Sequence, residues 1–157
     1  MRQEVTSIQS ALMLVGEASF RRMAMLAIAG DFNTDQPAEI LRMAFERARF
    51  CELAAVHCKQ IPSEQYLIGM VSLFPAMLRI LMEDMVRLLP LRENAREALL
   101  GGDNPEGILM RWIINQEHGD WAACDAIVCE NGLSHEQLMR CHAEAMTWTQ
   151  AAITSNA

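Results

Sequence analysis

The chain predicts an all-α fold: a compact multi-helix bundle of about seven or eight helices with no sheet. Three observations carry that reading. First, 52% of the 157 residues are hydrophobic, yet only 6% are aromatic and 12 residues are Met. Leu, Met and Ala favour helices, while β-branched and aromatic residues, which favour strands, are few. Second, apolar residues recur at spacings of three and four, with no run of strict alternation. Third, residues that start and stop helices punctuate the chain at short intervals. The length fits a single domain over residues 1–157, and a domain of this size buries roughly 70% of its unfolded surface without needing disulfide staples.

The first helix is expected from Val5 to Val15, with Ile8, Leu12 and Val15 in helical register, Thr6 or Ser7 as cap and Gly16 as stop. A second starts after Glu17 or Ser19 and runs to Ala29, and the loop Gly30 to Pro37 follows, rich in turn residues. Pro37 suits the first turn of a long helix whose stripe is Ile40, Leu41, Ala44, Phe45, Ala48, Cys51 and Ala55. Arg42 with Glu46, and Arg49 with Glu52, can form ion pairs on its outer face. This helix should end near Cys58-Lys59, because Ile61-Pro62 disfavours continuation.

Glu64 to Leu78 is apolar on nearly every side and holds no charge between Glu64 and Arg79. It is expected as the central buried helix, capped by Ser63 and interrupted by Gly69 and Pro75, and it is too short for a confident membrane span. A helix over 81–88 stops at Leu89-Pro90-Leu91, and another from Glu93 to Leu100 ends at Gly101-Gly102. Asn104-Pro105 opens the next, carrying Ile108, Leu109, Trp112 and Ile113. Gly119 reads as its left-handed stop and Asp120 as the cap of a helix from Trp121 to Glu130. After Asn131-Gly132, Ser134 and Gln137 form a capping box for a last helix to about Ala152.

The formal net charge of −7 offers no basic face for phosphates, so nucleic acid is not expected as a partner. Lys59 is the only lysine. Five cysteines, an odd number in helical settings, read as reduced thiols of a cytoplasmic protein. No stretch reads as a signal peptide or a membrane span.

Candidate chemistry is sparse. Cys124 and Cys129 are five apart and Cys141 adjoins His142, neither of which is a zinc-site spacing, even if His135 joined them in space. His118-Gly119-Asp120 reads as a helix stop and restart, with the His complementing the helix dipole. Cys51 and His57 are six apart on one helix, hence on different faces. Gly101-Gly102 lacks the Lys-Ser/Thr and the strand of a phosphate loop. Met70, Met77, Met82 and Met85 read as pliable core filler.

Several segments together resemble the HDOD domain, in the version found C-terminal to EAL domains in bacterial signalling proteins. They are Thr6-Ser7-Ile8 with Ala11-Leu12 and Leu14-Val15-Gly16, then 48–54, Tyr66 to Leu73, Leu88-Leu89-Pro90-Leu91, Ala98-Leu99-Leu100, and Glu117 with Gly119-Asp120-Trp121. Each segment is weakly specific, and their order and spacing carry the resemblance from about Val5 to Trp148. HDOD domains resemble metal-dependent HD phosphohydrolases that have lost their ligands. Laid on that pattern, Ser72 and Leu73 stand where the His-Asp ligand pair would be, and an upstream ligand His would fall near Arg49. Serine is a poor ligand, leucine is none, and arginine repels a cation.

The resemblance therefore implies no enzyme, no catalytic residue, no cofactor and no metal, with Arg49, Ser72 and Leu73 as degenerate ligand positions. It implies a regulatory module in a cyclic di-GMP-linked pathway, with other signalling proteins, including an EAL-type domain, as partners. The family domain has helices before the one starting near Thr6, so the chain reads as N-terminally incomplete, and the surface those helices would cover could support a homodimer. Two alternatives stay open. One is a residual HD-type phosphohydrolase or nucleotide-binding domain; the other is a purely structural helical dimerisation module.

Overall fold

The computed structural model describes residues 36–89 and 91–154. The helices expected over 5–15 and up to residue 29, and most of the loop that follows, lie outside the described residues. Among those described there are eight α-helices, two 3-10 turns and no strand. The order is α1 (Gln36–Ala54) with a 3-10 extension (Ala55–Cys58), α2 (Pro62–Val71), α3 (Phe74–Leu78), α4 (Met82–Leu88) and α5 (Glu93–Leu99). A second 3-10 turn (Pro105–Gly107) leads into α6 (Ile108–His118), followed by α7 (Trp121–Asn131) and α8 (His135–Thr154).

The apolar spacing of α1 places Leu41, Ala44, Phe45, Ala48, Cys51 and Ala55 in the core, as the sequence predicts. Burial extends further, to Arg47, Phe50 and Ala54. A helix buried over so wide an arc needs neighbours on several sides, and α1 packs against α2, α3, α6 and α8. The expected surface pairs form: Arg42 holds Glu46 and also Glu39, and Arg49 holds Glu52 at 2.7 Å.

The apolar segment after Pro62 is buried on all sides, from Gln65 to Val71 without exception. The expectation of one helix through Leu78 needs correction, because α2 ends at Val71 and α3 starts at Phe74. Pro75 explains the position of the break. It has no N–H to give to the carbonyl four residues back, and its ring would clash with that carbonyl, which belongs to Val71. Ser63 is not the cap either: Ile61 holds the extended cap position and Pro62 opens the first turn, where a missing N–H costs nothing.

The later stop and start signals act as expected. Gly101, Gly119 and Gly132 adopt left-handed φ of 85°, 71° and 61°. The Asn104 side chain accepts from Gly107 N–H at 3.1 Å, the Asp120 side chain from Ala123 N–H at 3.0 Å, and the Ser134 hydroxyl from Gln137 N–H at 3.3 Å.

Three apolar clusters surround α1 and α2. One joins Phe50, Cys51, Leu109, Trp112, Cys124 and Leu138 across α1, α6, α7 and α8. The second gathers Leu41, Phe45, Tyr66, Met70 and Met77, and the third Ile68, Val71, Met85, Leu99 and Met110. Met70, Met77 and Met85 are buried and Met82 packs on the third cluster, so all four methionines fill core gaps.

Candidate functional site

The site grows from one close approach between helices. Gly69 of α2 faces the backbone of α1 so tightly that a Cβ there would lie 2.7 Å from the Arg47 carbonyl oxygen and 2.9 Å from Ala48 Cα. Glycine is the residue that permits this contact. It sets the start of α1's buried arginine beside the end of α2, where Ser72 forms the C-cap in right-handed helical conformation.

Arg47 is 7% exposed and every arm of its guanidinium is engaged. Nε donates to Glu117 Oε1 at 2.9 Å and Oε2 at 3.2 Å, and Nη2 donates to Oε2 at 2.5 Å. Nη1 donates to Ser72 Oγ at 3.0 Å, while the Ser72 hydroxyl donates to the Gly69 carbonyl at 2.6 Å. Planar, two-pronged pairing of this kind is the strong form of an ion pair, and it joins α1, α2 and α6 at one point.

The chemistry open to this cluster is narrow. Both oxygens of Glu117 accept from Arg47, so the carboxylate is committed as a counter-ion. The Ser72 proton is spent on a backbone carbonyl, and the hydroxyl faces a guanidinium with no base in contact. Cys51, fully buried, is also in range of the cluster. Burial pushes its thiol from 9.0 to about 12, Arg47 pulls the other way, and Cys58 and Glu117 add to the rise. A thiol held so high is not a nucleophile at neutral pH.

The candidate positions from the sequence are dispersed. Ser72 lies in the cluster. Leu73 is half-buried and packs on the second apolar cluster. Arg49 has other partners: it donates to Glu52 at 2.7 Å, and its guanidinium sits 5.2 Å from the ring centroid of Trp148. The arginine that Ser72 meets is Arg47, two residues earlier. The signal for it was present, since Arg47 is three residues after Ala44 and four before Cys51, on the buried stripe. Glu117 likewise follows Ile113 by four. Two opposite charges on two apolar stripes point to each other, because neither can be buried alone.

The place that the resemblance implies for a His-Asp pair holds a hydroxyl and an alkyl group, and the hydroxyl accepts from the Arg47 guanidinium at 3.0 Å. Among the described residues, no three His, Cys, Asp or Glu side chains converge in a way that could hold a metal ion. Cys124 is buried with its thiol toward the Trp112 carbonyl at 3.7 Å, Cys129 is exposed, and Cys141 is half-buried. No described helix is long and apolar enough to cross a membrane.

Comparison with known proteins finds two relatives of similar closeness. The cyclic di-GMP phosphodiesterase CdgJ of Vibrio cholerae is 30% identical over 148 residues, which is 93% of this chain and 34% of that protein. The uncharacterized protein YuxH of Bacillus subtilis is 30% identical over 152 residues, 94% of this chain and 37% of that protein. The chain thus spans about a third of the length of these curated relatives. No family profile matches the chain. No solved structure matches it.

Proposed function

We propose that this chain is a non-catalytic regulatory module of the HDOD type, acting through protein contacts in cytoplasmic cyclic di-GMP signalling. The observation that carries the reading is the Arg47–Glu117–Ser72 cluster. It contains Ser72, one of the degenerate ligand positions the resemblance implies, and its buried cation, spent carboxylate and capped hydroxyl offer no free acid, base or ligand for phosphodiester hydrolysis. Similarity to a protein named as a cyclic di-GMP phosphodiesterase supports the pathway. The chain matches about a third of that protein; this reading places the hydrolytic activity in its name in the remainder and favours an EAL-type domain as partner. Leu81, Leu88 and Trp121, 67%, 75% and 58% exposed, supply apolar surface suited to such contacts.

The test is elemental analysis of the purified chain combined with a cyclic di-GMP hydrolysis assay. The proposal expects neither stoichiometric metal nor turnover, and an EAL-type domain retained by the immobilised chain. Bound metal with turnover would establish the residual phosphohydrolase instead. Self-association with no retained partner would favour a structural dimerisation module.

A further inference from the structure

α8 carries His135 and His142, seven residues apart, so two helical turns put both on one face. Their rings meet the same aromatic pair. Phe50 of α1 and Trp112 of α6 stack with centroids 5.2 Å apart and planes 21° apart, and both are fully buried. His142 meets Phe50 edge-on at 6.1 Å and 82°, and His135 meets Trp112 at 5.9 Å and 67°. Four rings in one row therefore fasten α8 to α1 and α6. His135 is the exposed end of the row and His142 the half-buried end.

Two charges act on His142 from the helices packed against it: Glu46 of α1 and Glu117 of α6. Each carboxylate already has a guanidinium, Arg42 for Glu46 and Arg47 for Glu117. On α8 itself the adjacent ionisable residues are Arg140, Cys141 and Glu144. A proton added to His142 would thus enter a half-buried aromatic contact where both acting carboxylates are already paired with a guanidinium. Burial outweighs the pull of Glu46 and Glu117 and holds the imidazole below its ordinary 6.5.

We propose that His142 is an acid-sensitive latch: in its neutral form α8 docks on the Phe50–Trp112 pair, and protonation loosens that helix. The sign follows from linkage. The released helix binds the proton more readily than the docked one, so docking is fully stable above about 6.5 and weakens as pH falls through the lower docked-state value. One proton can change the opening equilibrium by at most about tenfold per pH unit.

Hydrogen exchange of the whole chain, corrected for intrinsic rates and followed from about pH 7.5 to about pH 5.5, tests this. Amides of α8 should lose protection several-fold below about pH 6.5 while those of α2 hold. His142→Gln should remove the pH dependence, and His135→Gln should leave it. Unchanged α8 protection across the range, or the same fall in His142→Gln, would overturn the proposal. Should His142→Gln fail to fold, NMR titration of the wild-type imidazole decides: a value below 6.5 supports the latch, and one at or above it sinks the idea.

Discussion

Gly69→Ala puts two effects of opposite sign in direct competition. Within a helix, alanine is favoured over glycine by about 1 kcal/mol, so propensity alone predicts a more stable protein. Packing predicts the reverse. The added Cβ would lie 2.7 Å from the Arg47 carbonyl oxygen, 2.8 Å from its carbon and 2.9 Å from Ala48 Cα. All three are backbone atoms, so no flexible side chain can swing away. Ordinary contact begins at 3.4 Å, which requires α1 and α2 to part by about 0.7 Å at their closest point. Overpacking of this kind costs about 1–3 kcal/mol, and the shift also strains the Arg47–Ser72 hydrogen bond at the same spot. The expected net result is a loss of up to about 2 kcal/mol, or up to roughly 8 °C in Tm for a domain of this size. Urea denaturation measures it. Gly107→Ala is the internal contrast, since its Cβ would meet Ala98 Cβ at an unstrained 3.4 Å, and it should be neutral or gain about 0.4–1 kcal/mol. A stabilised Gly69→Ala protein would refute the close-approach argument outright.

Arg47→Met should destabilise by about 3–5 kcal/mol, since it leaves Glu117 partly buried without its cation; adding Glu117→Gln should recover a substantial part, and denaturant midpoints of the two proteins compare them. Asp120→Ala removes the α7 cap and should cost about 1 kcal/mol, with the Ala123 amide losing exchange protection first. Burial raises the Cys51 thiol from 9.0 to about 12, so the stability this thiol contributes is complete below about 9 and lost as pH rises toward 12. At about pH 8, iodoacetamide should therefore modify exposed Cys129 and spare Cys51 and Cys124 until denaturant is added.

Much of the fold was legible because local chemistry decided it. Gly119, Asp120, Gly132 and Ser134 act where the sequence placed them, since each serves atoms within a few residues of itself. The break after Val71 was half visible. Pro75 marked an interruption, and counting four residues back from its ring would have located it. The role of α1 was less legible, because a stripe analysis credits apolar residues and passes over Arg47, which sits on the same face. The partnership of Arg47 with Glu117 joins residues 70 positions apart, and no periodicity reports such a distance. What the spacing did hold was that each charge lay on an apolar stripe and needed a partner.

The Arg47 guanidinium also has a consequence for what the cluster can sense. A bound ion has a dissociation constant, so its occupancy follows the surrounding concentration, and a chelator can remove it. A cation tethered by its own side chain has neither property. The junction of α1, α2 and α6 is permanently loaded, indifferent to metal supply and to chelators. Movement of any one of the helices that meet there would stretch the hydrogen bonds it makes to the other two.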